Sequence, residues 1–225
     1  MLNEVAGYYW VMRSYGQYCA LAKALDVVGD RWTLLIVREL LVRGGCRYTD
    51  LQYGLPGIAT DLLAARLREL ERSGVIRREA APPPVATTLF HLTDRGRQLE
   101  AAMQALGRWG GPLLVDAPED DVFRSHWLAL PAQYSLLDSN PSLPPIAIEV
   151  RTGDQAMLLE TVDGTVRARA GTTEHPDAVM SGPPKLVVGV LLGAIDLSDA
   201  VERGLVYEGD PAALTRLQRQ PTAMA

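Results

Sequence analysis

From Thr60 to Ser73 the chain reads TDLLAARLRELERS, with leucines at 63, 67 and 70 spaced four and three residues apart. That spacing makes one stripe of an α-helix. Asp61, Ala64, Ala65 and Arg68 fall on the other side. Small residues at 64 and 65 let a surface approach the backbone, and Arg68 offers a forked donor suited to base edges and phosphate. This is a chemistry of hydrogen bonds and charge, not of bond making. The reactive residue types elsewhere agree. His91, His126 and His175 lie far apart and lack metal-ligand spacing. No glycine-rich phosphate loop follows a strand, and no G-x-S-x-G nucleophile turn occurs. The pattern argues against an enzyme and calls for no cofactor and no metal.

The elements around this helix define its setting. "QYCALAKALDVVG" has apolar residues at helical spacing and Gly29 as a stop, and "RWTLLIVRELLVRGG" is a strongly apolar helix closed by Gly44 and Gly45. "RYTDLQYGLPG" is a short helix ended by Pro56 and Gly57. The helix at 60–73 follows, with Thr60 as its expected cap. "GVIRREAAPPPVATTLFHLT" reads as two short strands around a proline-rich tip, and "DRGRQLEAAMQALGRWG" as a closing amphipathic helix. Three core helices, the third at 60–73, a hairpin and a final helix make a winged helix-turn-helix, whose second motif helix enters the DNA major groove.

These residues resemble the HxlR-type winged helix family of bacterial transcription regulators. The stretches that carry the resemblance are "YCALAKALDVVGDRWTLLIVREL", "RYTDLQYGLPGIATDLLAARLRELERSGVIRRE", "PPPVATTLFHLTDRGRQL" and "RWG", over roughly residues 18–110. The resemblance implies a homodimer on double-stranded operator DNA, with the terminal helices at the interface. It implies that Thr60, Asp61, Ala64, Ala65 and Arg68 approach base edges. Arg47, Tyr48 and Thr49 would lie near phosphates, and Arg77 and Arg78, with the tip at Pro82–Pro84, would form the wing. Many relatives carry a polar or basic residue where Asp61 stands; a carboxylate repels phosphates but can accept from a cytosine amino group or cap the helix, and capping is the favoured role. Arg66 is expected to pair with a neighbouring acid. Cys19 sits where some family members keep a redox-sensing cysteine, although a small residue packed at an interface explains it as well. Cys46 reads as a turn residue.

The second half has another texture. "PPIAIEVRTG", "DQAMLLETVDG" and "TVRARAGTTEHPDAVMSG" read as strands between turns. "PPKLVVGVLLGAI" reads as a buried helix and "DLSDAVERG" as a second, capped by Asp196 or Ser198. "LVYEGD" is a strand, and "DPAALTRLQRQ" a closing helix. "HPDAVMSGPPKLVVGVLLGAI" and "AVERGLVYEGDPAALTRLQ" resemble the sterol carrier protein type 2-like fold. That resemblance implies an apolar molecule held between a sheet and its helices, with Trp127, Leu130, Met157, Leu159, Met180, Leu186, Val190 and Leu191 as candidate lining residues. Core packing is the plainer reading of each.

The expected fold class is α+β. Residues 1–17 form an extension, 18–111 the winged helix-turn-helix, 112–122 a linker and 123–220 the sterol-carrier-like unit. The net charge of −5 hides an asymmetry of +3 over residues 1–111 and −8 over 112–225. Affinity for DNA must therefore come from local arginines. Arginine dominates the basic residues, with only Lys23 and Lys185 as lysines; a GC-rich coding sequence accounts for that bias by itself. No apolar run reaches the roughly 20 residues of a membrane span, and the N-terminus lacks a secretory pattern. Two cysteines make no secreted disulfide framework. The expectation is a cytoplasmic homodimeric regulator, a repressor, with an apolar small-molecule effector and no membrane partner. The alternative is a lipid carrier whose helical half only dimerises.

Overall fold

The structure is a computed structural model that describes residues 14–81, 87–114, 117–118 and 120–219. The chain divides into two compact units, Met1–Leu40 with Gly45–Arg97, and Leu41–Gly44 with Gln98–Ala225.

The first unit contains α1 (Ala20–Val28), α2 (Thr33–Arg43), α3 (Tyr48–Gly54), α4 (Thr60–Arg72), β1 (Ile76–Ala80), β2 (Thr88–Leu92) and α5 (Asp94–Arg97). The core is aliphatic: Ile36, Val37 and Leu40 of α2, Leu51 of α3, and Leu63, Leu67 and Leu70 of α4 are buried. The leucine stripe read from the sequence is therefore the seated face. A Schellman turn ends α4. Gly74 takes φ +70°, which a side chain would resist, the Gly74 N–H donates to the Glu71 carbonyl, and the Val75 N–H reaches the Leu70 carbonyl at 2.9 Å. The chain then runs straight into β1.

β1 and β2 pair antiparallel, with Arg77 opposite His91 and Arg78 opposite Phe90. The hairpin tip at Pro82–Pro84 falls outside the described residues. Cys46 is not a plain turn residue. It is fully buried and bridges Phe90 through two backbone hydrogen bonds, Cys46 N–H to the Phe90 carbonyl at 3.0 Å and Phe90 N–H to the Cys46 carbonyl at 2.8 Å.

The helix expected over 94–110 is divided into α5 and α6 (Glu100–Gly110). The start of α5 is fixed by Thr93, whose hydroxyl accepts from the Gly96 N–H and donates to the Gly74 carbonyl at 2.6 Å. Gly96 lies against the Val75 carbonyl, where a Cβ would come within 2.1 Å.

The second unit contains α6, a 3-10 turn at Ser125–Leu128, α7 (Ala129–Ser135), β3 (Leu136–Asp138), β4 (Ala147–Thr152), β5 (Gln155–Val162), β6 (Thr165–Ala170), β7 (Ala178–Ser181), α8 (Pro184–Leu191), α9 (Leu197–Glu202), β8 (Val206–Gly209), α10 (Pro211–Arg216) and β9 (Leu217–Arg219). Seven strands form one sheet in the order β8-β7-β4-β5-β6-β3-β9. Only β4 and β7 pair in parallel; the other neighbours are antiparallel. Asp163 and Gly164, both at positive φ, make the tight β5–β6 turn.

One expectation for this unit changes, and one stretch without a sequence reading is helical. The run from Ser125 to Ser135 is helical, because Pro131 falls in the first turn of α7 and removes no helical hydrogen bond there. The closing helix stops at Arg216. Its guanidinium is held by both Asp138 carboxylate oxygens, at 2.6 and 2.7 Å, and also donates to the Pro144 and Leu143 carbonyls. Leu217–Arg219 then pair with β3. The hydrogen bond from Arg216 holds the Asp138 carboxyl below its ordinary pKa, against the opposing effect of burial.

Candidate nucleic-acid interface

Two contacts orient α4 beyond its leucine seat, and a third closes the end of α3. Arg66 pairs with Glu69 on the same helix and with Asp30 in the α1–α2 loop, as the sequence reading favoured. The Tyr48 hydroxyl donates to the Thr60 carbonyl at 2.7 Å. Burial, and then the nearby Asp61 charge, raise the Tyr48 pKa, so the phenol stays a donor.

The third contact lies at the end of α3. Glu39 is fully buried on α2, and Arg38 donates to its carboxylate at 2.9 Å and to the Gly54 carbonyl at 3.0 Å. Burial lowers the Arg38 pKa and the attraction of Glu39 opposes that. A Cβ on Gly54 would stand 2.0 Å from Glu39 Oε2, so glycine is what lets the turn close over the carboxylate.

The outward face of α4 carries Thr60, Asp61 and Arg68 exposed, with Ala64 and Ala65 half-buried. The capping expectations do not hold. Ala59 occupies the cap position without a side-chain cap bond, and Thr60 is already the first helical residue. Asp61 lies in the first turn, where its charge complements the helix dipole. Arg68 makes no hydrogen bond or ion pair among the described residues.

The other basic candidates are spoken for to varying degrees. The Arg47 backbone N–H, not its guanidinium, donates to the Asp50 carboxylate at 2.8 Å, and Arg47 and Thr49 are both exposed. Arg77 pairs with Glu79. That hydrogen bond, reinforced by the Arg77 charge, lowers the Glu79 pKa. Arg78 pairs with Glu71 at 2.9 Å and lies 5.5 Å from the centre of the Phe90 ring. Tyr48, Ala64, Leu67, Arg68, Arg78 and Phe90 line a crevice of about 160 Å³ between α4 and the hairpin. Nothing in the sequence pattern singled out Phe90 or Gly54.

Of the eight residues expected to line an apolar pocket in the second unit, six are core residues and two are half-buried. Met157, Leu159, Met180, Leu186, Val190 and Leu191 belong to one packed cluster. Trp127 and Leu130 are half-buried, Trp127 with its ring edge-on to His126. An open hollow of about 680 Å³ on this unit has other walls, among them Gln133, Glu160, Arg167 and His175. Apolar residues on the inner face of a sheet look the same in sequence whether they fill the core or surround a void. Cys19 is exposed at the cap position of α1. Among the described residues no group of three His, Cys, Asp or Glu is placed to hold a metal ion. No helix among them is long and apolar enough to cross a membrane.

Helices α2 to α4 followed by the β1–β2 hairpin define a winged helix-turn-helix. The profile described as HxlR-like helix-turn-helix matches residues 27–116. YvaP of Bacillus subtilis, named as an HTH-type transcriptional regulator, is 34% identical over 87 residues, spanning 39% of this chain and 80% of that protein. The Synechocystis regulator sll1512 is 33% identical over 99 residues, 44% of this chain and 73% of its own. YodB of Bacillus subtilis, also named as an HTH-type transcriptional regulator, is 30% identical over 89 residues, 40% and 79% respectively. The chain belongs to the HxlR-like helix-turn-helix family. Residues 117–225 lie outside the family match.

Proposed function

We propose that this protein is a homodimeric regulator that represses transcription by binding double-stranded operator DNA. One observation carries the reading: α4 is seated through its leucines and tied by Arg66 and Tyr48, yet its outward face ends on an unengaged Arg68. Thr60, Asp61, Ala64, Ala65 and Arg68 would face base edges. Arg47, Tyr48, Thr49, Arg77 and Arg78 would lie near the backbone, where phosphate contacts supply affinity and base contacts supply choice. The relatives named as transcriptional regulators support the same reading.

Dimerisation is supported by apolar side chains left in water. No residue of α6 is buried, and its Leu106 and Trp109 are exposed, as is Leu21 of α1. A second copy of this chain is the natural cover for them.

The experiment is binding of the full chain to its own upstream DNA, followed by fluorescence anisotropy across a salt series. Each phosphate contact should contribute roughly −0.9 to the slope of log K against log salt. A flat salt dependence, or equal affinity for unrelated DNA, would sink the regulator reading. Binding to lipid vesicles with no binding to DNA would favour the carrier.

The second unit's proposed role is to sense an apolar small molecule, as a sterol-carrier-like fold would. Its solid core sets a condition on this. Met157, Leu159 and Met180 are at most 1% exposed, so a ligand must open its own space there. Calorimetric titration with fatty acids tests it, and no heat above dilution would remove the role. For Cys19, an oxidant response unchanged in Cys19→Ser would remove any redox function.

A further inference from the structure

Helix α4 carries three carboxylates, and two of them are met. Glu69 pairs with Arg66 on the same helix, and Glu71 pairs with Arg78 of β1 at 2.9 Å. Asp61 is the third. It is exposed and makes no hydrogen bond or ion pair among the described residues. It does not cap the helix, because Ala59 holds that position. The neighbouring Tyr48 hydroxyl donates to the Thr60 carbonyl at 2.7 Å instead. At about 100° per residue, Asp61 falls on one stripe with Ala64, Ala65, Arg68 and Arg72, on the side away from the buried leucines. Arg68 and Arg72 are exposed as well. The outward face therefore begins with an unmet acceptor and continues, past two methyl groups, to two guanidinium donors.

We propose that Asp61 reads the exocyclic amino group of a cytosine in each operator half-site, and that its charge weakens binding in every register that offers no such donor. This contact rests on the DNA reading above. A carboxylate only accepts hydrogen bonds. Pressed into a groove without a donor, it is left dry and unmet, which is costly, and it repels the phosphates on either side. In the major groove the only base donors are the amino groups of cytosine and adenine. Adenine sets its N7 acceptor beside the amino group, so a carboxylate meets repulsion there; cytosine presents no such neighbour. The small side chains at 64 and 65 let the helix sink far enough for a short aspartate to reach the base edge.

The probe is a library of double-stranded DNA with a randomised core. The full chain, Asp61→Ala and Asp61→Asn each select from it, and the bound sequences are compared. Thermal melting checks that both variants fold as wild type does. Wild type should enrich a cytosine at one position of each half-site, by about tenfold over the other bases. Asp61→Ala should lose that preference and keep those at other positions. Asp61→Asn should turn it to adenine, whose N6 and N7 an amide meets together. Anisotropy on an unrelated duplex should show both variants binding more tightly than wild type, by roughly threefold to tenfold, since a charge of the phosphates' own sign is gone. Cytosine retained in both variants, or no fixed cytosine in the wild-type sites, overturns the proposal and leaves the regulator reading standing. Unrelated DNA bound no more tightly by either variant overturns the part assigned to the charge. A wild-type chain that enriches no sequence sinks the regulator reading, and the cytosine contact with it.

Discussion

Arg68 and Arg216 are the same residue put to opposite uses. Arg216, in the second unit, is buried and spends its donors on Asp138, Pro144 and Leu143. Arg68, in the first unit, is exposed and spends none within the described chain. A buried charge that is fully met by its own chain holds a fold together; an exposed one left unmet is free to meet a partner from outside. The contrast extends to the units around them. The first turns a slim face with free donors outward, and the second turns its sheet side chains into a filled core.

The comparison is broken most severely at Gly54. Gly54→Ala drives a methyl group into the buried Glu39 carboxylate and should cost about 2–4 kcal/mol. Denaturant unfolding of the full chain would show an early transition, and an unchanged profile would mean that Glu39 moves aside freely. Next comes Asp138→Ala, which strands Arg216 and should lower the melting temperature by something on the order of 10 °C. The same pair sets an acid limit. Because the folded pKa of Asp138 lies below its unfolded value, its stabilisation is complete above about pH 4 and fades as pH falls through the lowered pKa. Asp138→Asn should flatten that part of an acid-unfolding curve; a curve identical to wild type would assign acid sensitivity elsewhere.

Arg68→Ala should leave stability within about 0.5 kcal/mol and weaken DNA binding by roughly 1–3 kcal/mol. A melting loss without an affinity loss would reverse the assignment of the two arginines. Arg66→Met should have the smallest effect, about 0.5 kcal/mol, since its Asp30 partner is mostly exposed. Its sharper readout is the spread of α4 amide shifts, which a purely superficial ion pair would leave untouched.

Much of this contrast is legible in the sequence. The 63, 67, 70 repeat defined the seated face of α4, because burial of a helix leaves a period of 3.6 in the sequence. Alternation and turn residues located the strands β4 to β8 in the same way. Three features left no such trace. Gly54 is needed by Glu39, fifteen positions earlier, and only folding brings them together. The crevice depends on Phe90, which as a single apolar strand residue is indistinguishable from core. Arg216 could equally have continued its helix; the carboxylate that stops it is on a strand far upstream. Local periodicity reports which face is buried, not what meets it there.

The two hydrogen bonds between Cys46 and Phe90 have a mechanical consequence. They stitch the root of the hairpin to the segment that leads into α3, so a push on either strand is delivered to the start of the helix-turn-helix rather than absorbed at a hinge. Those bonds tie the hairpin and the helix-turn-helix into one piece. In the proposed dimer, tolerance for operators of different half-site spacing then has to come from the joint between subunits, and substitutions that retune it should cluster at that joint, away from the wing.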